Sequence, residues 1–324
     1  MSTARRRTIR RSIWILLTLT LVSLLAVAGC GGPGGQALTY SFKTGDAFTY
    51  DLEVVMNGSM TAPGMTADEG TLPKDATVKG RFSIKVTDVK DDVATIVYTY
   101  ESLETIAEGE TETIPVDQIP AVTVTMDKFG KITSMSGAAG GVLGSLMGGG
   151  NESAGLPFDA SQLGGSAMVS LPPGGKLAVG EEWTTTTDTP VPMLGQSVQT
   201  TTKAKITSLT KEGDNQIVGL DFDQDTPMDL SIDLGALMGQ MIPAGTSDSL
   251  PEDFAFLMTL AGTQSFSGAT TVNLTKGLPV NYEADGVMKY QLAISEAPED
   301  MVPADERGPF DIDITMKIRL RQVT

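Results

Sequence analysis

Alternation of apolar and polar residues runs through most of this 324-residue chain and limits its fold more than any other feature. The clearest example spans residues 311–320 (DIDITMKIRL), in which every even-numbered residue is apolar. Such a pattern is typical of a β-strand with one buried face, and about eleven segments of the chain show it. Parallel sheets are buried on both faces, so one-sided strands indicate antiparallel pairing. We therefore predict a mainly β protein with a curved, one-sided antiparallel sheet.

Short turns separate neighbouring alternating runs. Four of them have the length and the Gly, Asp or Asn content of hairpin turns, namely residues 89–92, 127–131, 211–215 and 275–277. Each joins two alternating runs, so the sequence predicts a meander in which consecutive strands are neighbours.

A weak internal repeat is visible in the order of these elements. Residues 42–50 (FKTGDAFTY) resemble residues 177–185 (LAVGEEWTT), because each reads as a Gly-acid turn that leads into an aromatic-led strand. Two further pairs of segments follow in the same order: 86–89 with 206–209, and 122–130 with 271–277. The repeat predicts two similar β halves that differ by loop insertions, residues 38–165 and residues 166–324.

A few segments depart from the alternation and carry apolar residues at helical spacing. Leu234, Leu237, Met238 and Met241 show this spacing. Residues 251–261 follow a possible cap and a proline in the first turn, and Gly262 reads as a helix stop. We therefore predict that a few apolar helices are inserted among the strands.

The first 29 residues have the order of a secretory signal. Five arginines and no acidic residue occupy residues 1–12, and an apolar run of 16 residues follows at 13–28. The run is shorter than the roughly 20 residues of a spanning helix, and glycine-rich sequence follows it in place of a stop-transfer flank. We predict that residues 1–29 are removed, and a retained membrane helix is the alternative.

The residues around the cleavage point resemble the bacterial lipobox. Val27, Ala28 and Gly29 precede Cys30, the only cysteine of the chain, which has no partner for an internal disulfide. The resemblance implies cleavage between Gly29 and Cys30 and a diacylglyceryl thioether on Cys30, with acyl chains that anchor the protein to a membrane. Residues 30–37 are rich in glycine and read as a flexible tether.

Charge and the absence of histidine exclude several functions. The formal net charge is −17, and removal of the leader takes five of the 23 basic residues while all 40 acidic ones remain. Such an acidic protein repels phosphate backbones, so nucleic acid is not expected as a partner. Without histidine the chain has no Ser-His or Cys-His nucleophile and no His-containing zinc site.

Acidic residues supply the remaining candidates for chemistry. Asp221, Asp223 and Asp225 have the spacing of the first EF-hand ligands, but Thr226 and Ile232 stand where Gly and a bidentate Glu are required. We interpret this run as a strand end that leads into an acidic turn, and we predict no metal site and no cofactor. Paired carboxylates can hydrolyse glycosides without histidine, so a carboxylate-based hydrolase is the most distant alternative to a protein that is not an enzyme.

The predicted helices supply a candidate binding surface. We expect Met238, Met241, Phe254, Leu257 and Met258 to line it, because flexible methionine side chains suit an apolar ligand of variable shape. If the helices lie across the inner face of the sheet, these side chains line a pocket. They can equally complete a solid core, and both interpretations stay open.

The lipobox, the repeated Gly-acid-x-aromatic strand start and the one-sided strands together resemble a family of bacterial lipoproteins of unknown function. More distantly, the architecture is similar to the lipoprotein-carrier fold, a half-open barrel whose concave face holds acyl chains. These resemblances imply an extracytoplasmic protein, anchored to an outer membrane or to the outer leaflet of a plasma membrane, that binds an apolar ligand or an envelope partner. A scaffolding lipoprotein with a solid core is the alternative.

Overall fold

The computed structural model describes residues 36–61, 75–136, 169–172, 176–191, 196–233, 255–299, 302–304 and 307–323. Strands contain 75% of these residues, which confirms the prediction of a mainly β protein. The strands are β1 (Gln36–Ala37), β2 (Ala47–Thr61), β3 (Ala76–Lys90), β4 (Val93–Ala107), β5 (Glu110–Thr113), β6 (Val122–Asp127), β7 (Ile132–Ser136), β8 (Lys176–Leu177), β9 (Glu182–Val191), β10 (Gln196–Glu212), β11 (Asn215–Asp233), β12 (Leu257–Asn273), β13 (Leu278–Glu296) and β14 (Phe310–Val323).

Twelve strands form one antiparallel sheet, and β1 pairs separately with β8. The order across the sheet is β7-β6-β4-β3-β2-β14-β13-β12-β11-β10-β9, with β5 paired to β4. The sheet curls into a half-barrel, and Cα atoms of the edge strands β7 and β9 come within 8 Å of each other. The prediction of a curved antiparallel sheet or half-open barrel is therefore confirmed.

The strands of the second half are unusually long. β10 and β12 have 17 residues each, and β11 and β13 have 19, whereas strands of about 5–6 residues are most common. At about 3.4 Å per residue, a 19-residue strand is roughly 60 Å long. The alternating runs at 218–222 and 228–232 therefore belong to one strand, β11.

The turns that start the two halves have equivalent hydrogen bonds. Gly45 has φ +94° and donates its N–H to the carbonyl of Val86 at 2.9 Å. Gly180 has φ +92° and donates its N–H to the carbonyl of Ile206 at 2.8 Å. A positive φ is a conformation that glycine adopts without strain. The two turns predicted to correspond therefore have the same backbone structure.

The strands that follow these turns also correspond. Phe48 on β2 and Trp183 on β9 begin strands that pair with β3 and β10, respectively. The next pairings are β3 with β4 and β10 with β11. In each, the register shifts directly after the residue whose carbonyl accepts the hydrogen bond from the turn glycine, Val86 in the first half and Ile206 in the second. The first two strand pairings of the two predicted halves therefore have the same register next to the glycine turns.

An extended segment at residues 38–43 crosses one end of the half-barrel, which we call the closed end. Tyr40 donates its N–H to the carbonyl of Lys128 in the β6–β7 turn, and Ser41 donates to Leu274 in the β12–β13 turn, both at 2.8 Å. The hydroxyl of Tyr40 donates to the carbonyl of Val169 at 2.7 Å. Because these turns lie on opposite sides of the sheet, the segment covers the core between them.

Glycines in these two turns allow the segment to approach closely. Gly130 and Gly277 have φ values of +83° and +69°. A Cβ atom on Gly130 would lie 2.8 Å from the ring of Tyr40, and one on Gly277 would lie 2.5 Å from the ring of Phe42. Any side chain here would push the rings out of the closed end.

We give the name open end to the opposite end of the half-barrel, where β11 ends and β12 begins. The segment 234–254 lies outside the described residues. Residues 257–261, predicted as helix, belong instead to β12, which pairs with β11 and β13. Gly262 is not a helix stop, because it lies inside β12 where a Cβ atom would overlap the carbonyl of Lys289. The prediction of a helix at 251–261 is therefore wrong for its described part.

Helix accounts for 1% of the described residues, in one short 3-10 helix at Val116–Gln118. Within the described ranges, no helix has the length and hydropathy needed to cross a bilayer.

Candidate functional site

Alternate residues of each strand point into the half-barrel and form its core. Along β13, the even-numbered residues from Tyr282 to Leu292 are buried and the odd-numbered ones between them are exposed. No buried residue of the described strands is Asp, Glu, Lys or Arg. Charged side chains lie on the outer face, where Arg319 contacts Glu53 at 3.1 Å and Glu283 at 3.2 Å. The buried interior of the described strands is therefore uncharged, and Glu110, Glu112 and Lys211 lie exposed at strand ends of the inner face.

Aromatic side chains fill the inner face of the first half. Tyr50, Phe82 and Tyr100 are direct cross-strand partners on β2, β3 and β4. The ring of Phe82 lies 5.6 Å from that of Tyr50 and 6.2 Å from that of Tyr100, measured between centroids. We call these three residues the aromatic triplet. Phe82 is 0% exposed, so this part of the interior is a packed core.

The equivalent positions of the second half carry small or polar side chains. Thr202 on β10 is the direct partner of Thr185 on β9 and of Gln224 on β11. We call these three residues the polar triplet. Their distance along the chain from the glycine turn and from the register shift of the second half equals that of the aromatic triplet in the first half. The fold therefore accepts aromatic rings here in one half and lacks them in the other.

The next row of inward-facing residues shows the same exchange. In the first half, Leu52, Gly80 and Leu103 are cross-strand partners. In the second half Thr187 and Thr200 are cross-strand partners at the places of Leu52 and Gly80, but the register shift between Arg81 and Phe82 has no counterpart between β10 and β11. The hydroxyl groups of Thr200 and Thr226 share a hydrogen bond of 2.9 Å. Two adjacent rows of the second half therefore present hydroxyl and amide groups to the interior.

Gln264 and Tyr290 extend the polar rows onto β12 and β13. Gln264 is the cross-strand partner of Thr226, and its Oε1 accepts a hydrogen bond of 3.0 Å from the hydroxyl of Tyr290. Burial raises the pKa of Tyr290 above its usual value, so the phenol stays protonated and acts as a donor. We call the whole set the polar patch: Thr185, Thr187, Thr200, Thr202, Gln224, Thr226, Gln264 and Tyr290.

Hydrogen bonding around the polar patch is incomplete. In the described part of the chain, two buried hydroxyl oxygens have no hydrogen-bond partner, Thr185 Oγ1 and Tyr282 Oη. Tyr282 stacks on Phe222 at a centroid distance of 5.3 Å, and burial raises its pKa, so its hydroxyl also stays protonated. A buried polar group without a partner costs about 1–3 kcal/mol. Both hydroxyls can therefore gain free energy from a ligand that reaches them.

An apolar path leads from the polar patch to the open end. Leu230 and Ile232 of β11 and Met258 and Leu260 of β12 are buried, and the partly exposed Met228 lies between them and the patch. The six steps from Thr226 to Ile232 span about 20 Å at the usual rise of a strand. The inner face thus combines a polar region halfway along the strands with an apolar region that reaches the open end.

Among the predicted lining residues, the structure places two. Met258 is 6% exposed and points inward from β12, between Ile232 and Ile294 of the neighbouring strands. Leu257 is the first residue of β12 and is half-buried. Met238, Met241 and Phe254 lie outside the described residues, as do the predicted cleavage and lipidation residues Gly29 and Cys30.

The acidic run on β11 differs from its interpretation as a strand end. Asp221, Asp223 and Asp225 lie in the middle of β11 and alternate on its exposed face. Asp225 accepts a hydrogen bond of 2.7 Å from the hydroxyl of Ser265 on β12. The described residues contain no group of three or more potential metal ligands. The interpretation as a strand end was wrong, because the strand continues to Asp233.

The polar patch could not be recognised from alternation, because its inward-facing residues are themselves polar. Where inward-facing residues are polar, as at Thr185, Thr187 and Thr200, the strand no longer alternates between apolar and polar residues. Two signals were still present. Threonine has a high strand propensity, and the repeat already aligned Thr185 with the inward-facing Tyr50.

Comparisons with known proteins give little further information. No protein-family model matches the chain, and no curated protein is detectably similar to it. Solved structures with some similarity include DynF of the dynemicin biosynthesis pathway of Micromonospora chersina, with 8% identity over 90% of this chain and 86% of that one and a TM-score of 0.21. OmpF of Salmonella typhi in complex with daunomycin has 9% identity over 85% and 98% of the two chains and a TM-score of 0.23. These similarities are too weak to assign a function.

Proposed function

We propose that this chain is a lipid-anchored extracytoplasmic protein that binds an apolar ligand inside its half-barrel and catalyses no reaction. The observation that carries the proposal is the exchange of the aromatic triplet for the polar triplet between two halves of one fold. The halves share their register around the glycine turns, so the exchange compares side chains at equivalent positions of the inner face.

The exchange lowers the side-chain volume of this layer in the second half. Protein interiors are packed as densely as organic crystals, and an unfilled cavity costs about 24 cal/mol per Å³. Replacing two tyrosines and a phenylalanine by two threonines and a glutamine removes three rings from this layer of the interior. A bound ligand that occupies the space of these rings offsets that cost.

The surroundings of this space suit an apolar ligand. Met228, Met258 and Met288 all point inward from neighbouring strands of the second half. Methionine is flexible and polarizable, and it adapts to ligands of different shape. An apolar ligand gains about 25 cal/mol for each Å² of apolar surface that it buries here.

The leader supports the proposed location. The arginine-rich start, the short apolar run and the lipobox-like residues before Cys30 are expected to direct export and lipidation. Two or three acyl chains would hold the protein firmly, since each buried CH₂ group contributes about 0.8 kcal/mol. The glycine-rich tether would then separate the anchor from the sheet.

One observation favours the alternative of a scaffold with a solid core. At the closed end, inward-facing residues such as Ile84, Ile96 and Ile206 are at most 1% exposed, and towards the open end Leu230, Ile232 and Leu260 are at most 4% exposed, so both regions are tightly packed. The alternative extends such packing to the whole interior and assigns the protein a role in binding other envelope proteins.

Replacing Met258 with Trp distinguishes these functions. If the open half holds a ligand, the indole fills space that the ligand occupies, and affinity for a fluorescent fatty-acid probe should fall at least tenfold. The free energy of unfolding should change by less than about 1 kcal/mol, whereas overpacking a solid core costs about 1–3 kcal/mol. Probe titration and urea denaturation of the purified chain measure both effects.

Thr259→Trp is the matched control, because Thr259 is the next residue of β12 and is exposed on the outer face. It should leave probe binding unchanged. Native mass spectrometry of the wild-type chain should also detect co-purified lipid. A wild-type protein without bound lipid or probe affinity, together with strong destabilisation by Met258→Trp, would support the scaffold.

A further inference from the structure

We infer that the polar patch binds the uncharged polar group of a neutral lipid, of the kind formed by the hydroxyl and ester oxygens of a diacylglycerol. The inference rests on the proposed function and adds the chemical class of the ligand. It follows from three properties of the inner face, namely its lack of charge, its incomplete hydrogen bonding and the position of the polar patch along the strands.

The lack of charge excludes lipids with an ionised headgroup as preferred ligands. A phosphate or carboxylate loses its hydration on entering the half-barrel, and a buried ion needs a paired charge to offset this loss. The buried residues of the described strands include no Lys or Arg for this purpose, and Lys211 lies exposed at the closed end. The net charge of −17 also repels anions before they enter.

The polar patch has the groups that a neutral oxygen-rich headgroup needs. Threonine hydroxyls and the glutamine amide both donate and accept hydrogen bonds, so they can bind a hydroxyl as well as an ester carbonyl. Thr185 Oγ1 is buried without a partner. The amide Nε2 of Gln224 contacts Thr202 Oγ1 at 3.4 Å, which is longer than the usual 2.7–3.2 Å of an N–H···O bond.

The arrangement along the strands fits a lipid as a whole. The polar patch lies halfway along β10, β11 and β12, and the apolar path follows it towards the open end. A headgroup bound at the patch leaves its acyl chains along Met228, Leu230 and Leu260. An apolar ligand without a polar group would leave the hydroxyls of the patch buried against hydrocarbon.

The fold itself does not require these polar residues. The first half carries the aromatic triplet at the positions of the polar triplet, and its register shifts directly beyond it, between Arg81 and Phe82. Buried polar groups are expensive unless they are satisfied, so a ligand that satisfies them accounts for their presence in one half alone.

The test compares two variants of the full purified chain with a matched control. The double variant Thr200→Val and Thr226→Val removes both hydroxyls of one hydrogen bond and keeps their shape, a change that is nearly neutral for stability. The triple variant Thr185→Tyr, Thr202→Phe and Gln224→Tyr copies the aromatic triplet into the second half. Thr201→Val is the control, because Thr201 neighbours Thr200 but faces outward.

The probes are fluorescent diacylglycerol, phosphatidic acid and free fatty acid with the same acyl chain. The wild type should bind diacylglycerol at least tenfold more tightly than either charged probe. The double variant should lose about tenfold in diacylglycerol affinity with an unchanged or higher unfolding midpoint. The triple variant should lose measurable binding of all three probes, and Thr201→Val should behave as the wild type does.

Two outcomes overturn the inference, and they differ in what they say of the proposed function. If the wild type binds all three probes equally and the double variant does the same, the half-barrel binds lipid but the polar patch selects no headgroup. If the wild type binds none of the probes, both the proposed function and the inference fail. A lower unfolding midpoint with unchanged diacylglycerol affinity in the double variant would assign the hydroxyls a structural role only.

Discussion

Replacing Cys30 with alanine is expected to move the protein from the membrane fraction to the soluble fraction without unfolding it. The thioether needs the cysteine sulfur, so the variant has no site for the acyl chains that the lipobox resemblance implies. The tether at residues 30–37 should keep this change away from the sheet. Membrane fractionation, intact mass of the product and circular dichroism of the released chain measure attachment, lipidation and fold.

Gly32→Ala, two residues further along the tether, is the matched control and should remain attached. The outer face of the sheet gives no reason to expect attachment by other means, because its ion pairs, such as Arg81 with Asp51 at 2.8 Å, lie exposed in water. If Cys30→Ala stays in the membrane fraction and keeps residues 1–29, the leader is itself the anchor and the retained-helix alternative is correct.

Much of the sheet could be predicted from the sequence because alternation reports burial directly. The run from Ile312 to Leu320 becomes one side of β14, and the predicted turns at 89–92 and 275–277 join strands in the structure. The lengths of the strands could not be predicted in the same way. The inward-facing Gln224 and Thr226 interrupt the pattern, yet β11 continues through them because β12 pairs with it from Ile217 to Asp233.

The helix prediction at 251–261 was wrong because a short apolar run fits two periods. Phe254, Leu257 and Met258 have helical spacing, but pairing with β11 and β13 determines the structure from Leu257 onward. Gly262 reinforced the error, since a glycine after an apolar run reads as a helix stop. In the sheet it marks a close approach of backbones instead.

The candidate site was harder to predict than the fold for the same physical reason. A core that excludes water leaves an apolar pattern in the sequence, whereas a cavity with polar walls leaves Thr-rich strands that resemble surface segments. Only the comparison of equivalent positions, such as Phe82 and Thr202, distinguishes an inward-facing threonine from an exposed one. That comparison needs the register of both halves, which the sequence repeat defined at a few anchor residues only.

Phe82→Ala should destabilise the protein by about 3–5 kcal/mol, the usual cost of removing a fully buried ring. Phe82 is 0% exposed and contacts the rings of Tyr50, Tyr98 and Tyr100, at centroid distances of 5.6, 6.4 and 6.2 Å. The surrounding strands cannot collapse into the cavity, because each is paired on both sides. Urea denaturation of the purified chain measures the change in the free energy of unfolding.

Thr202→Ala is the matched comparison, because Thr202 occupies the equivalent position of the second half. It should cost about 1 kcal/mol, the contribution of one modest hydrogen bond, since Thr202 only accepts a 3.4 Å contact from Gln224. A similar, large loss for both variants would mean that the second half is packed as tightly as the first. The space that the proposed ligand needs would then be filled by the protein's own side chains, and the scaffold with a solid core would be the better account.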